Sequence, residues 1–150
     1  DANFAKVDRL SEWNPQLKDK ALGKTELISY LDIDGKKQSG VVYYPPDFQT
    51  GRKYPTVFIV YEQFFDDPFN GTTSVLNANG YVVVQPSVEF ETGYPGEAWM
   101  KAVTAAANKL IDMGVADPER LGVQGTSYGG YATNLLITQT NRFAAAINIS

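Results

Sequence analysis

The chain has 150 residues, 43% of them apolar and 20% charged, with a formal net charge of −4 and neither cysteine nor histidine. These values fit one globular domain at most and exclude a disordered or fibrous chain. The negative balance argues against a nucleic-acid surface, the strand-sized apolar runs are too short for a membrane span, and the lack of Cys and His removes disulfides, cysteine nucleophiles and the usual zinc ligands; no cofactor is expected.

Residues 1–25 are mixed and polar. Phe4, Val7, Leu10, Trp13 and Leu17 recur three or four residues apart, and Asn14-Pro15 interrupts any helix there. This predicts an irregular or short-helical lead-in, with Trp13 as a packing anchor. Leu27 to Ile33 carries strand-forming residues, Asp34-Gly35 supplies a tight turn, and Gly40 to Tyr44 returns as the partner strand before Pro45-Pro46 stops it.

Thr56 to Tyr61 is a continuous apolar run, expected of a central strand buried on both faces. Glu62 to Gly71 reads as a loop. A short helix over about Thr73 to Ala78 should end at Gly80, a natural left-handed cap. Tyr81 to Gln85 reads as a second buried strand closed by Pro86, and Ser87 to Pro95 as another loop. The clearest helix is Gly96 to Met113, where Trp99, Val103, Ala106, Leu110 and Met113 fall on one stripe and Gly114 caps the end. Asp117 to Arg120 reads as a turn, Leu121 to Gln124 as a strand, the stretch beyond Ser127 as a helix to about Thr140, and Ala144 to Ile149 as another buried strand. Strands alternating with helices after a hairpin predict a mostly parallel sheet covered on both faces.

The chemistry concentrates in Gly125-Thr126-Ser127-Tyr128-Gly129-Gly130. With 13 glycines in the chain, Gly-x-Ser-x-Gly arises by chance at roughly 0.05 per chain of this composition, so its context must carry the weight. That context is a strand before and a helix after, the layout of a nucleophile elbow. Ser127 then sits on a sharp, strained turn that lifts its hydroxyl clear of the sheet, and Gly125 and Gly129 carry no Cβ to obstruct the close pass of strand and helix. The alternative is a glycine-rich strand-to-helix turn with an idle serine. The residues after Ser127 include no Asp, Glu or His, so a nucleophile is visible without its base or the group that orients the base. The chain is expected to be a piece of a longer enzyme or an inactive one.

Arg120 to Tyr131, preceded by Thr92-Gly-Tyr-Pro-Gly96 and the Trp99 helix, resembles the catalytic domain of the prolyl oligopeptidase family of serine peptidases, which includes the dipeptidyl peptidase IV-like and acylaminoacyl peptidases. Thr25-Glu-Leu-Ile-Ser-Tyr, Asp34-Gly35 and Gly40-Val-Val-Tyr-Tyr-Pro45 look like the start of that domain after a β-propeller, and the likeness spans nearly all of 25–150. The resemblance implies an α/β-hydrolase fold, mostly parallel with an N-terminal antiparallel hairpin and truncated at the C-terminus. Residues 1–25 would be a lead-in from the propeller, and 26–150 the N-terminal part of the catalytic domain. It implies Ser127 as nucleophile, with the backbone N–H of Tyr128 and the phenol of Tyr61 as oxyanion donors; an ordinary strand-end tyrosine is the alternative for Tyr61. Glu62-Gln63 departs from the glycine-rich sequence many members carry there. The acid and histidine of the triad, and the propeller, would lie outside these residues.

The implied activity is hydrolysis of short peptides through a Ser127 acyl-enzyme, the partners being a peptide substrate and the remainder of the same enzyme, with no nucleic acid and no membrane span. The isolated chain should be nearly inactive. A carboxylic ester hydrolase of the same fold and a catalytically dead binding module are the alternatives. Glu62, Asp66, Asp67, Glu89 and Glu91 read as loop residues at the active-site edge of the sheet, better taken as solvated charges than as pocket lining. Asn70-Gly71-Thr72 and Asn148-Ile149-Ser150 match the glycosylation pattern, and no compartment is read from the sequence.

Overall fold

Val82, Val83 and Val84 are each fully shut away from water in the computed structural model, which describes residues 8–62, 71–90 and 92–150. Three consecutive β-branched residues buried on alternate faces require a strand covered from both sides. That strand is β4 (Val82–Pro86), at the middle of a six-stranded sheet whose other members are β1 (Thr25–Leu31), β2 (Lys37–Tyr43), β3 (Tyr54–Ile59), β5 (Ala116–Thr126) and β6 (Ala145–Ile149). The spatial order is β1-β2-β4-β3-β5-β6. β1 and β2 pair antiparallel as a hairpin, β2 lies antiparallel to β4, and the β4-β3-β5-β6 block is parallel throughout.

Three helices connect the parallel strands: α1 (Gly71–Ala78), α2 (Pro95–Asp112) and α3 (Tyr128–Gln139). Among the described residues, none is long and apolar enough to cross a membrane. The core holds Ile28, Val42, Phe58, Val82, Val84, Leu121 and Val123 from one face of the sheet, with Trp99, Val103, Leu110, Ala132 and Leu136 from α2 and α3. The helices approach closely at Gly96, where a Cβ would lie 2.8 Å from Leu135 Cδ1. On α1, Asn77 donates through Nδ2 to the carbonyls of Tyr43 and Tyr81 at 3.0 and 2.9 Å, tying that helix to β2 and to the start of β4.

The hairpin turn is built on Asp32. Its Oδ1 accepts the backbone N–H groups of Asp34 and Lys36 at 3.0 and 2.9 Å, and its Oδ2 accepts the Gln38 amide at 2.8 Å. Gly35, at φ 74°, takes the left-handed position that Asp34-Gly35 predicted. Gly80 and Gly114, at φ 80° and 72°, turn the chain where helix caps were expected.

Several expectations are corrected. Trp13 is 83% exposed and is no packing anchor; its indole N–H donates to Ser11 Oγ beside it. Phe4 and Val7 lie outside the described residues. Met113 falls just past the end of α2, where Gly114 reverses the chain, so it leaves the buried stripe and is 37% exposed. β3 is fully buried on one face only, its Pro55, Val57 and Ile59 being half-buried, because α1 packs on β4 and leaves the second face beside it partly open. Asp117 to Arg120 lies within β5 as a bulge: the step from Tyr54 to Thr56 on β3 is matched by the longer step from Ala116 to Leu121 on β5. β6, expected as buried, is exposed along its whole length, since among the described residues it is the edge strand and pairs with β5 alone.

Candidate active site

The chain leaves β5 at Thr126 and enters α3 at Tyr128, so Ser127 alone must make the turn. It does so at φ 55° and ψ −117°, and among the described residues only Asn14 and Ser127 are non-glycine positions with positive φ. Such a conformation costs a residue with a Cβ on the order of 1–3 kcal/mol and persists only where the surroundings impose it. Here they do. The Ser127 N–H donates to the carbonyl of Ile149 on β6 at 2.7 Å, and its carbonyl accepts the Tyr131 N–H at 3.1 Å. The residue is left exposed.

The glycines make this turn possible. A Cβ on Gly125 would stand 2.0 Å from the Gly129 carbonyl oxygen, and one on Gly129 would stand 2.1 Å from the Val60 carbonyl oxygen. Both distances are impossible contacts with backbone, so strand, elbow and helix interlock only when both positions lack side chains. At Gly130 the obstacle is a side chain, Asn148 Oδ1, at 2.3 Å.

The Ser127 amide is spent on β6, whereas the Tyr128 N–H belongs to the first turn of α3, where no carbonyl within the helix can accept it. It opens at the positive end of the helix beside the serine, a place suited to a developing negative charge. Tyr61 lies just past β3, 48% exposed, its ring set edge-on to that of Tyr128 with centroids 6.4 Å apart. Tyr61, Tyr128 and Ser127 are therefore brought to one end of the parallel strands.

Behind them stands an aromatic cluster. Trp99, fully buried, packs edge-on against Phe90, Tyr128 and Tyr131 with centroids 5.6, 4.9 and 5.6 Å away. Its indole N–H donates to the Tyr61 carbonyl at 2.6 Å. Sequence spacing placed Trp99 on the buried stripe without identifying this contact. The readable signal was that a buried indole N–H needs an acceptor.

The loop carboxylates are not gathered at the serine. Glu89 pairs with Lys36 at 3.2 Å, by the hairpin turn, and Glu62 is exposed. Asp66, Asp67, Glu91, Gln63 and the Asn70 of the first glycosylation triplet lie outside the described residues. Asn148 of the second triplet lies on β6, with its side chain against Gly130.

The chain has known relatives. The sequence pattern of the prolyl oligopeptidase family matches residues 68–150. An uncharacterised peptidase of Bacillus subtilis, YuxL, is 30% identical over 138 residues, covering 81% of this chain and 21% of that protein. Human dipeptidyl peptidase 8 is 28% identical over 134 residues, covering 76% of this chain and 15% of that protein. Among solved structures, a puromycin-hydrolysing peptidase of Mycobacterium tuberculosis superposes with a TM-score of 0.80 at 26% identity, over 97% of this chain and 26% of that one. The acylaminoacyl peptidase of Pyrococcus horikoshii does so with a TM-score of 0.78 at 22% identity, over 94% and 25%. The chain thus spans between 15% and 21% of the length of these two curated relatives. Its fold is that of the α/β-hydrolase peptidases, and the chain belongs to the prolyl oligopeptidase family, a family of serine-type peptidases.

Proposed function

We propose that residues 26–150 form the N-terminal part of the catalytic domain of a serine-type peptidase that hydrolyses short peptides through an acyl-enzyme on Ser127, with residues 1–25 as the lead-in from a preceding propeller. The observation that carries this reading is the Ser127 backbone at φ 55° and ψ −117°, with the residue exposed and its amide bonded to the Ile149 carbonyl. Strain of this kind has little use in a serine that does no chemistry.

Ser127 Oγ attacks the carbonyl carbon of the scissile bond. Its proton passes to a histidine supplied, with the acid that orients it, by the rest of the enzyme. The carbonyl oxygen, now an oxyanion, is held by the Tyr128 N–H and the Tyr61 hydroxyl. The carbon–nitrogen bond breaks, the amine leaves with the proton returned by the histidine, and water releases the acid from Ser127 by the same steps. Ser127, the Tyr128 N–H and the Tyr61 hydroxyl supply nucleophile and oxyanion donors, but this chain holds no histidine to act as base, so the isolated chain is nearly inactive.

The test uses the full-length enzyme with an aminoacyl-prolyl or dipeptidyl amide and a short-chain carboxylic ester. The expected result is amide hydrolysis that falls by about four orders of magnitude or more in Ser127→Ala. Turnover of the ester with none of the amides reassigns the substrate class, and amide hydrolysis unchanged in Ser127→Ala removes the serine from the mechanism.

A further inference from the structure

Tyr61 has left the β-sheet, yet the chain is held on either side of its Cα. The Val60 N–H makes a last sheet bond to the Gln124 carbonyl at 2.8 Å, and the Val60 carbonyl is pressed against Gly129, 2.1 Å from where a Cβ would be. On the other side the Tyr61 carbonyl accepts the Trp99 indole N–H at 2.6 Å. Holding the chain on both sides of a Cα narrows the directions its Cβ can take, and so the cone within which the phenol can swing. Trp99 also lies 4.9 Å, centroid to centroid, from the ring of Tyr128. One buried side chain on α2 thus touches both residues assigned above to the oxyanion site.

We propose that Trp99 is a positioning residue. Its indole N–H locks the Tyr61–Glu62 peptide so that the Tyr61 hydroxyl is aimed at the oxyanion before substrate arrives. The inference rests on the oxyanion role given to Tyr61 above. Its physical basis is preorganisation: a donor held in place need not be reoriented as charge develops, whereas one that swings freely must be. A plain core tryptophan would account for the ring contacts, but a different chemistry would serve as well for packing alone. The buried indole N–H needs an acceptor in any case; what separates a positioning role from a structural one is the readout, since a bond lost for structural reasons alone costs stability rather than rate.

The experiment is a double-mutant cycle on the full-length enzyme, with kcat and KM measured separately on a peptide amide for Trp99→Phe, Tyr61→Phe and the pair. Phenylalanine keeps an aromatic ring in the cluster and removes the N–H. Tyr61→Phe alone should lower kcat about 100-fold. Trp99→Phe alone should lower kcat about tenfold with KM within about twofold. In the Tyr61→Phe background the Trp99→Phe change should cost less than about twofold, because the hydroxyl it aims is already gone. If Trp99→Phe does not fold, benzothienylalanine at position 99, which keeps the shape and replaces N–H by sulfur, takes its place in the cycle. A drop from Trp99→Phe that is the same in both backgrounds, or no drop at all, overturns the positioning role while leaving the Tyr61 assignment intact. An unchanged kcat in Tyr61→Phe overturns the Tyr61 assignment, and the positioning role with it.

Discussion

Gly125 and Gly129 face each other across the elbow so closely that a single methyl on Gly125 would stand 2.0 Å from the Gly129 carbonyl oxygen. Backbone cannot move aside as a side chain can. Gly125→Ala and Gly129→Ala should therefore each destabilise the protein by about 3 kcal/mol or more. Gly130→Ala should cost less, about 1–2 kcal/mol, since the Asn148 side chain can rotate away, alanine suits a helix better than glycine, and the nearest backbone atom, the Ile149 carbonyl oxygen, is 3.2 Å off. Chemical denaturation of the three variants checks the order, and a Gly130→Ala cost equal to the other two would contradict it.

Asn77 is buried on α1 and spends both amide protons on carbonyls of the sheet, those of Tyr43 and Tyr81. Asn77→Ala leaves both carbonyls without that donor and should destabilise by about 2 kcal/mol. Because α1 packs on β4 rather than on α3, the elbow should keep its geometry. A loss in denaturation midpoint with kcat unchanged is the expected pattern.

The Asp32 carboxyl is held below its usual range, first by the Gln38 amide and then by the backbone N–H groups of Lys36 and Asp34, which together outweigh the effect of burial. A carboxyl with a lowered folded-state pKa contributes stability that is present above its unfolded value, about pH 4, and is lost as pH falls through the folded value. The melting temperature of the protein should therefore exceed that of Asp32→Asn at pH 7, and the gap should narrow as pH falls below about 4. A gap that stays constant over that range would contradict the assignment.

The elbow was legible because its geometry makes residue-type demands: only glycine fits at 125 and 129, and only a strand before and a helix after place the serine. The valine run of β4 and the hairpin turn at Asp34-Gly35 were legible for the same reason. What escaped depends on neighbours distant in sequence. The bond from the Ser127 N–H to the Ile149 carbonyl needs β6 beside β5, and the bond from Trp99 to the Tyr61 carbonyl joins residues 38 apart. The exposure of β6 has the same origin: Ala-Ala-Ile-Asn-Ile reads as a buried strand, but burial depends on what packs outside it, which the residues themselves do not say. Trp13 misled because three-to-four spacing signals a face without saying whether anything meets it.

The central claim is that Ser127 is an activated nucleophile. The most direct measurement is to treat the full-length enzyme with a fluorophosphonate that labels activated serines and to locate the adduct by intact mass and peptide mapping. The account predicts one adduct per chain, on Ser127, absent from Ser127→Ala and slowed by a competing peptide substrate. An unlabelled Ser127 in a folded full-length protein, or an adduct on another serine that accompanies peptide hydrolysis, would contradict it.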